Sequence, residues 1–350
     1  MSNLHKNFIK KVNRRSFNQT MLGSGLVPTH LASMQKNNSP YLVPGDRVGL
    51  ICPASPINED RLKKAVANME SLGLIPVPGK NIMNQNGYLA GKDIERLQDL
   101  HDMYRDPSIK AIWCIRGGYG ATHLLPYIDY SLIDANPKLL IGYSDITAFH
   151  NALFTKLKLH SLHGPVGSSD FTPYTTEQLK KVIFGTAGDW VEVKTCDDND
   201  LEFSTNGKTT FERFVIHPGK GEGILIGGNL SLLSAMCGTP YFKIKRDTIL
   251  FIEDVEEAPY RIDRMLTQLL QAIDIHHVKG ILLGVFEGCE RKEPTISFSL
   301  KEVMMDRLSR LQIPCMYGFS FGHISNQCTI PFGTKGKMDT DAFTLQFRLP

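Results

Sequence analysis

The chain of 350 residues has no run approaching the ~18 apolar residues that a membrane helix needs, so no integral membrane segment is expected. Its 7 cysteines are odd in number, scattered and nowhere spaced as CxxC, which argues against a disulfide framework or a structural zinc site. HExxH is missing; "HSLH" at 160–163 has no glutamate between its histidines and reads as a strand, which excludes a zinc peptidase of that type. The phosphate-loop patterns GxxxxGK[ST] and GxGxxG are missing too, so a nucleotide phosphate site has no support. Charge of one sign is also scarce. The net charge is +3, but the first 35 residues hold Lys6, Lys10, Lys11, Arg14 and Arg15 and no acid, which leaves 3 − 5 = −2 for the body. A near-neutral body gives no electrostatic reason to expect nucleic acid or an anionic membrane as partner. What remains, 42% hydrophobic and 21% charged residues, is the composition of a soluble globular protein.

The leader, residues 1–35, contains "NRRSFNQTMLGSGLVPTHLAS": paired arginines, a phenylalanine two positions on, a mildly apolar stretch and then small residues. It resembles a twin-arginine export signal, which implies a folded protein delivered to a periplasm. The alternative is a basic tail on a cytoplasmic protein.

After the leader, strand and helix patterns alternate. "RVGLICPAS" reads as a buried strand and "EDRLKKAVANMESLG" as an amphipathic helix with Leu62, Ala65, Val66 and Met69 on one face. "IKAIWCI", "LLIGYS" and "LHSLHGPV" are further strands, with "ERLQDLHDMYRD" and "DITAFHNALFTKL" as helices. The alternation implies a parallel sheet flanked by helices, and assigns 42–185 to an N-terminal α/β domain. The stretch 186–208 is polar, acidic and turn-rich and reads as a linker. Alternation then resumes through "EGILIGGN", "DTILFIED", "VKGILLGVF" and "CMYGFSFG", giving a C-terminal α/β domain over 209–350.

In open α/β sheets, sites form where loops leave the carboxyl ends of strands. Ser144 stands at such an end, in Gly142-Tyr143-Ser144-Asp145. A glycine two before the serine permits a tight strand-to-helix turn, although position 146, where a nucleophile elbow has its second glycine, is Ile. Ser144 is a nucleophile or a helix cap. A serine nucleophile needs a base, a carboxylate to orient that base, and N–H donors for an oxyanion. His323 follows the strand "GFSFG", and His163 in "HGPV" is the runner-up base. Glu253 ends "ILFIE", with Asp254, Glu256 and Glu257 competing for the orienting role. The loop "IRGGYG" offers the backbone of Gly117 or Gly118 for one half of an oxyanion hole, and Asp145 offers the other half.

Six blocks in order, "RGGYG…LLPYID", "LLIGYSDITAFHNAL", "HGPV", "GGNLSLLSAMCGTPY", "LFIEDVEEAPYRIDRMLTQL" and "GFSFGHISNQCTIPFG", resemble the LD-carboxypeptidases, from about residue 43 to the C-terminus. This family of serine peptidases includes muramoyltetrapeptide carboxypeptidase and the microcin C immunity peptidase. The resemblance implies a flavodoxin-like or glutamine-amidotransferase-like N-terminal domain, a mixed α/β C-terminal domain, and the site between them. It implies a triad of Ser144, Glu253 and His323, an oxyanion hole from Gly117 and Asp145, no metal or organic cofactor, and a homodimer. The activity it implies is release of the terminal D-alanine from murein tetrapeptides, leaving tripeptides, in peptidoglycan turnover. Gly118, Tyr119 and Asn229 become candidate substrate contacts, and Arg116 and Arg261 candidate cations for the terminal carboxylate. Two alternatives accompany this reading. One is an immunity-type peptidase acting on aminoacyl-nucleotide antibiotics, with Trp190 as platform for the adenine ring. The other is a non-catalytic muropeptide-binding protein. Two positions depart from the family pattern, Ser320 where proline is common and His123 where arginine is common.

Overall fold

β1 (Arg47–Ile51) buries every residue after Arg47, the pattern of a parallel strand covered on both faces. α1 (Glu59–Ser71) begins at Asn58, whose side chain accepts the N–H of Arg61, and turns Ala65 and Met69 inward. β2 (Ile75–Pro78), α2 (Asp93–Arg105) and β3 (Ile109–Cys114) follow, then the short α3 (Ala121–Leu124) and α4 (Tyr130–Ala135). β4 (Leu139–Gly142), α5 (Thr147–Leu157), β5 (Ser161–His163) and α6 (Pro173–Ile183) complete the first half of this computed structural model, which describes residues 41–186, 190–291 and 296–350. The arginine-pair leader lies outside the described residues.

These five strands are parallel, in the spatial order β2-β1-β3-β4-β5. This is the flavodoxin-like order, whose direction reverses between β1 and β3. The loops leaving β1 and β3 therefore diverge to opposite faces and open a crevice at their carboxyl ends, beside the end of β4 that carries Ser144.

The expected linker at 186–208 instead holds β6 (Trp190–Lys194) and α7 (Asp197–Ser204). In "WVEVK" Val191 and Val193 are buried while Glu192 and Lys194 face out, a period of two that its acidic flanks obscure in the sequence. β7 (Phe214–His217), β8 (Lys220–Asn229), α8 (Leu230–Ala235), β9 (Thr248–Glu253), α9 (Pro259–Ala272), β10 (Val278–Val285), α10 (Leu300–Leu308) and β11 (Cys315–Gly322) come next. The chain ends with β12 (Ile330–Phe332), β13 (Lys335–Asp339) and β14 (Thr344–Arg348). The second sheet has 8 strands in the order β6-β14-β13-β8-β9-β10-β11-β7, parallel from β8 to β11 and antiparallel towards both edges. The fold is α/β with two sheets, one parallel save for one added strand and one mixed.

That added strand is β12. It leaves the C-terminal half and pairs antiparallel with β5 of the first sheet, Ile330 opposite His163 and Phe332 opposite Ser161. The two halves thus share a sheet as well as a core, and the described residues pack as one unit. The cysteines are free thiols, all but Cys237 buried, and among the described residues no helix is long and apolar enough to cross a membrane.

Phe332 is fully buried, its ring packed near those of His150 at 5.8 Å, Phe154 at 5.8 Å and Phe251 at 5.9 Å, which come from both halves. Phe332→Ala should cost ~3–5 kcal/mol of unfolding free energy, read from urea denaturation. A cost under ~1 kcal/mol would show that β12 is not part of what holds the halves together.

Candidate active site

Ser144 sits on a sharp turn. Tyr143 is extended, Ser144 takes a left-handed φ of 65°, and a 3₁₀ turn from Ser144 to Ile146 leads into α5. Left-handed backbone at a non-glycine residue carries strain of about 1–3 kcal/mol and clusters at functional sites. The serine is not a helix cap, since its side chain makes no capping bond at the start of either helix. Below the turn, buried His150 fixes the end of β4. Its Nε2–H donates to the Gly142 carbonyl at 2.9 Å, and its Nδ1 accepts from the Ser161 hydroxyl at 2.8 Å. Burial, reinforced by His163, pushes His150 down to about 3 against the pull of the Gly142 carbonyl, so it stays neutral.

The second sheet delivers two partners. Glu253, fully buried, is the last residue of β9, and His323 follows β11, two strands across. Nδ1 of His323 donates to Oε2 of Glu253 at 2.7 Å, and Nε2 lies 3.0 Å from Oγ of Ser144. With Nδ1 carrying the proton, Nε2 is left as the acceptor of the serine O–H. Burial favours a neutral imidazole, but the charge and hydrogen bond of Glu253, with Asp254 and Glu256 adding to them, raise the pKa of His323 above its ordinary value. Burial likewise opposes ionisation of Glu253, yet His323, aided by His163, holds its carboxyl below the usual range. A serine hydroxyl, an imidazole and a carboxylate so linked can move a proton from oxygen to nitrogen while the carboxylate stabilises the resulting cation.

Two of the competing acids are occupied elsewhere, and the third, Glu256, is exposed in the loop beyond β9. Asp254 accepts from Asn229 Nδ2 at 2.9 Å, from Ser231 N at 2.9 Å and from Ser231 Oγ at 2.8 Å. Glu257 pairs with Arg261 at 3.3 Å. Asn229 itself caps α8, accepting from Leu232 N at 3.3 Å, so both ends of its amide are taken. Arg116 has a different setting: half-buried, it donates to the Pro56 carbonyl at 2.8 Å and has no carboxylate partner among the described residues.

The glycine loop after β3 closes over the serine. A β-carbon on Gly117 would lie 2.8 Å from Cβ and 3.0 Å from Oγ of Ser144, and 3.2 Å from the amide nitrogen of Asp145. Only glycine lets the backbone come this close. Gly118 has φ 110° and abuts Ser55, whose hydroxyl accepts the N–H of Tyr119 at 3.1 Å and whose N–H donates to the Gly117 carbonyl at 3.3 Å. The exposed ring of Tyr119 leans on Tyr88 at 5.7 Å and on His123 at 5.4 Å. Asp145 is buried and its carboxylate accepts the Ala121 N–H at 2.8 Å at the loop's far end. Burial raises it to about 6, against the help of that amide and of Arg96. Arg96, fully buried, donates to the carbonyls of Pro53 at 2.6 Å and Gly120 at 3.0 Å.

Ser55 and Arg96 are thus loop-positioning residues that the sequence reading missed. "CPAS" after β1 was a legible strand-end signal for Ser55; Arg96, in a helix pattern of charged residues, gave none. The departure at Ser320 has a job too: its hydroxyl accepts the Cys196 N–H at 2.8 Å and an Asn199 N–H at 3.0 Å, tying the start of α7 to β11. A cavity of about 220 Å³ opens beside His323, bordered by Asn199, Lys208, Phe211, Glu287 and Asn326. A wider groove of about 530 Å³ runs along α2 past Ile94, His101 and Tyr127, and none of the three linked side chains borders it.

If Glu253 sets the charge state of His323, Glu253→Gln leaves burial opposed only by the lesser pull of Asp254 and Glu256. The His323 titration, followed by NMR, should then fall below that of the parent. A titration unmoved in the variant would mean that the carboxylate does not govern the ring.

Residues 48–164 match the LD-carboxypeptidase N-terminal domain and 222–338 the LD-carboxypeptidase C-terminal domain. The chain is 40% identical over 301 residues, 85% of its length and 89% of the relative's, to the probable murein peptide carboxypeptidase of Bacillus subtilis. Among solved structures, the muramoyltetrapeptide carboxypeptidase from Oxalobacter formigenes superposes with a TM-score of 0.72 at 27% identity, covering 86% of this chain and 97% of that one. The microcin C7 self-immunity protein MccF in complex with aspartyl sulfamoyl adenosine gives a TM-score of 0.78 at 27% identity, covering 89% and 98%. With both halves matched in sequence and the whole unit matched in fold, the chain belongs to the LD-carboxypeptidase family.

Proposed function

We propose that the protein is a serine carboxypeptidase that removes the terminal D-alanine from murein tetrapeptides, with Ser144 as nucleophile, His323 as general base and acid, and Glu253 as the group that orients His323. The observation that carries the reading is the unbroken line from Glu253 Oε2 through the imidazole to Ser144 Oγ, at 2.7 and 3.0 Å. His323 takes the hydroxyl proton as Ser144 attacks the carbonyl of the third stem residue. Glu253 stabilises the imidazolium. The oxyanion is received by backbone N–H groups at Gly117 and Asp145, which flank the serine. His323 then protonates the departing D-alanine amine, and water, activated by the same ring, releases the tripeptide and restores the serine.

An exopeptidase must also neutralise the terminal carboxylate of its substrate. Arg116 suits this better than Arg261. It adjoins Gly117 and is unpaired with any described carboxylate, whereas Arg261 is paired with Glu257. Asn229, with its amide committed to Asp254 and to the α8 cap, is a scaffold residue in this reading. The aminoacyl-nucleotide alternative needs a free aromatic face. Trp190 has Lys337 Nζ 4.7 Å and the Arg348 guanidinium 5.4 Å from its ring, which favours the murein substrate. Export through the arginine-pair leader and assembly as a homodimer belong to the same proposal.

Incubation with a disaccharide tetrapeptide should yield the tripeptide and free alanine by mass spectrometry. Ser144→Ala and His323→Ala should each lower kcat by on the order of 10⁴- to 10⁶-fold; undiminished release by Ser144→Ala would refute the nucleophile. Arg116→Gln should raise KM with a smaller effect on kcat, roughly 10- to 100-fold in kcat/KM, as a lost charge-assisted contact would. A value within twofold of the parent would remove Arg116 from the site. Because only the neutral imidazole can accept a proton, and Glu253 raises its pKa, kcat/KM should fall with decreasing pH along a limb centred above the ordinary histidine value. A limb at or below that value would contradict the coupling.

A further inference from the structure

The floor of the site holds a histidine that the mechanism above does not use. His163, the last residue of β5, is only 1% exposed, and neither of its ring nitrogens has a hydrogen-bond partner. Buried polar side chains are nearly always bonded to protein or to ordered water, and leaving one unmade costs ~1–3 kcal/mol. Its neighbours are mostly rings: Phe251 at 5.2 Å, Phe321 at 6.0 Å, Tyr143 at 6.1 Å and His150 at 6.3 Å. His150 offers nothing, because Gly142 and Ser161 occupy both its nitrogens.

A second orphan belongs to the proposed triad itself. Glu253 gives Oε2 to His323, but its Oε1 is buried and has no partner within hydrogen-bond distance, the Asn229 amide lying only near enough to help lower the carboxyl. The two orphans are neighbours. Phe251, which packs on the His163 ring, lies two residues before Glu253 on β9 and so on the same face. Tyr143 touches both histidines, its ring 4.8 Å from that of His323. A lone donor and a lone acceptor, both buried and both polar, are the setting in which a buried water is retained.

We propose that His163 is a positioning residue for the triad, donating a ring N–H through one buried water to Oε1 of Glu253, so that the carboxylate is held at both oxygens. Burial pushes the His163 pKa down to about 4, against the pull of Glu253 and with the help of His323, so the ring is neutral at pH 7 and has one N–H to give. The inference rests on the reading of Ser144, Glu253 and His323 as a working triad. A carboxylate that shares its charge with a donor at Oε1 is a weaker partner for His323 at Oε2. Removing that donor frees the carboxylate to turn and strengthens its pull on the imidazole. The other charged groups that act on His323, Asp254 and Glu256, are untouched by a change at position 163, as is neutral His150 beside it.

The test is the pH profile of kcat/KM on the murein tetrapeptide for His163→Phe and His163→Gln. The Phe variant should lose roughly tenfold in kcat, the scale of a lost orienting partner behind a working group, and its acid limb should shift upward by about half a unit or more. The Gln variant, which keeps a donor, should recover most of both effects. An acid limb in the Phe variant that coincides with the parent's overturns the proposal, whatever happens to the rate. ¹⁵N-histidine NMR of the unmodified protein tests it without a variant and without turnover. One His163 nitrogen should carry a hydrogen-bonded proton that exchanges magnetisation with a bound water, and a ring with no such proton overturns the proposal. Full activity in Ser144→Ala would instead sink the triad reading, so the two failures are told apart.

Discussion

The structure turns on one imidazole that bridges two sheets. His323 and Glu253 come from the mixed sheet and Ser144 from the parallel one, and the 3.0 Å contact between Nε2 and Oγ exists only while the halves stay docked. Displacement by an ångström would turn a proton-transfer contact into a through-water one. The rigidity needed for that tolerance is visible around it: a core continuous through both halves, β12 laid onto the edge of the first sheet, and Asn229 N–H held by the Thr147 hydroxyl at 2.9 Å.

Around that contact the chain is arranged in supporting layers. The serine's strained turn is fixed from below by His150 on the Gly142 carbonyl. The glycine loop above it is fixed by Ser55 from β1 and by the buried guanidinium of Arg96. Asp145 ties the two layers, its carboxylate on Ala121 N at one end of the loop and its amide beside the serine. A fully buried arginine is costly unless its charge is met; Asp93 pairs with it at 2.5 Å, and the carbonyls it serves belong to the glycine loop and to the segment just after β1. The arginine therefore couples the loop's position to the start of α2 and to the segment after β1.

Much of this is legible in the sequence. The strands RVGLI, IKAIWC, LLIG, TILFIE and CMYGFSFG are apolar runs, and the three side chains that meet stand at or just beyond the ends of the last three. Serine, glutamate and histidine at strand ends are informative because parallel sheets gather their carboxyl ends on one side. Other parts were opaque. β6 and α7 hid within an acidic stretch, because two buried valines are too weak a periodicity against polar flanks. β12 is three residues long, and strand pairing across 167 positions, from His163 to Ile330, leaves no local signal.

The sequence by itself determined the α/β class, through local periodicity, and the family, through motifs at strand ends; its resemblance to that family implied the flavodoxin-like half and a serine, glutamate and histidine to be weighed against competing acids and a second histidine. Only the tertiary structure decided which carboxylate faces the imidazole, that Arg96 lies buried beneath the glycine loop, that Arg116 is unpaired while Arg261 is not, and that His163 and Glu253 share a buried polar floor. Those are facts about partners distant in the chain, and burial and hydrogen bonding are set by what packs against a side chain, not by what precedes it.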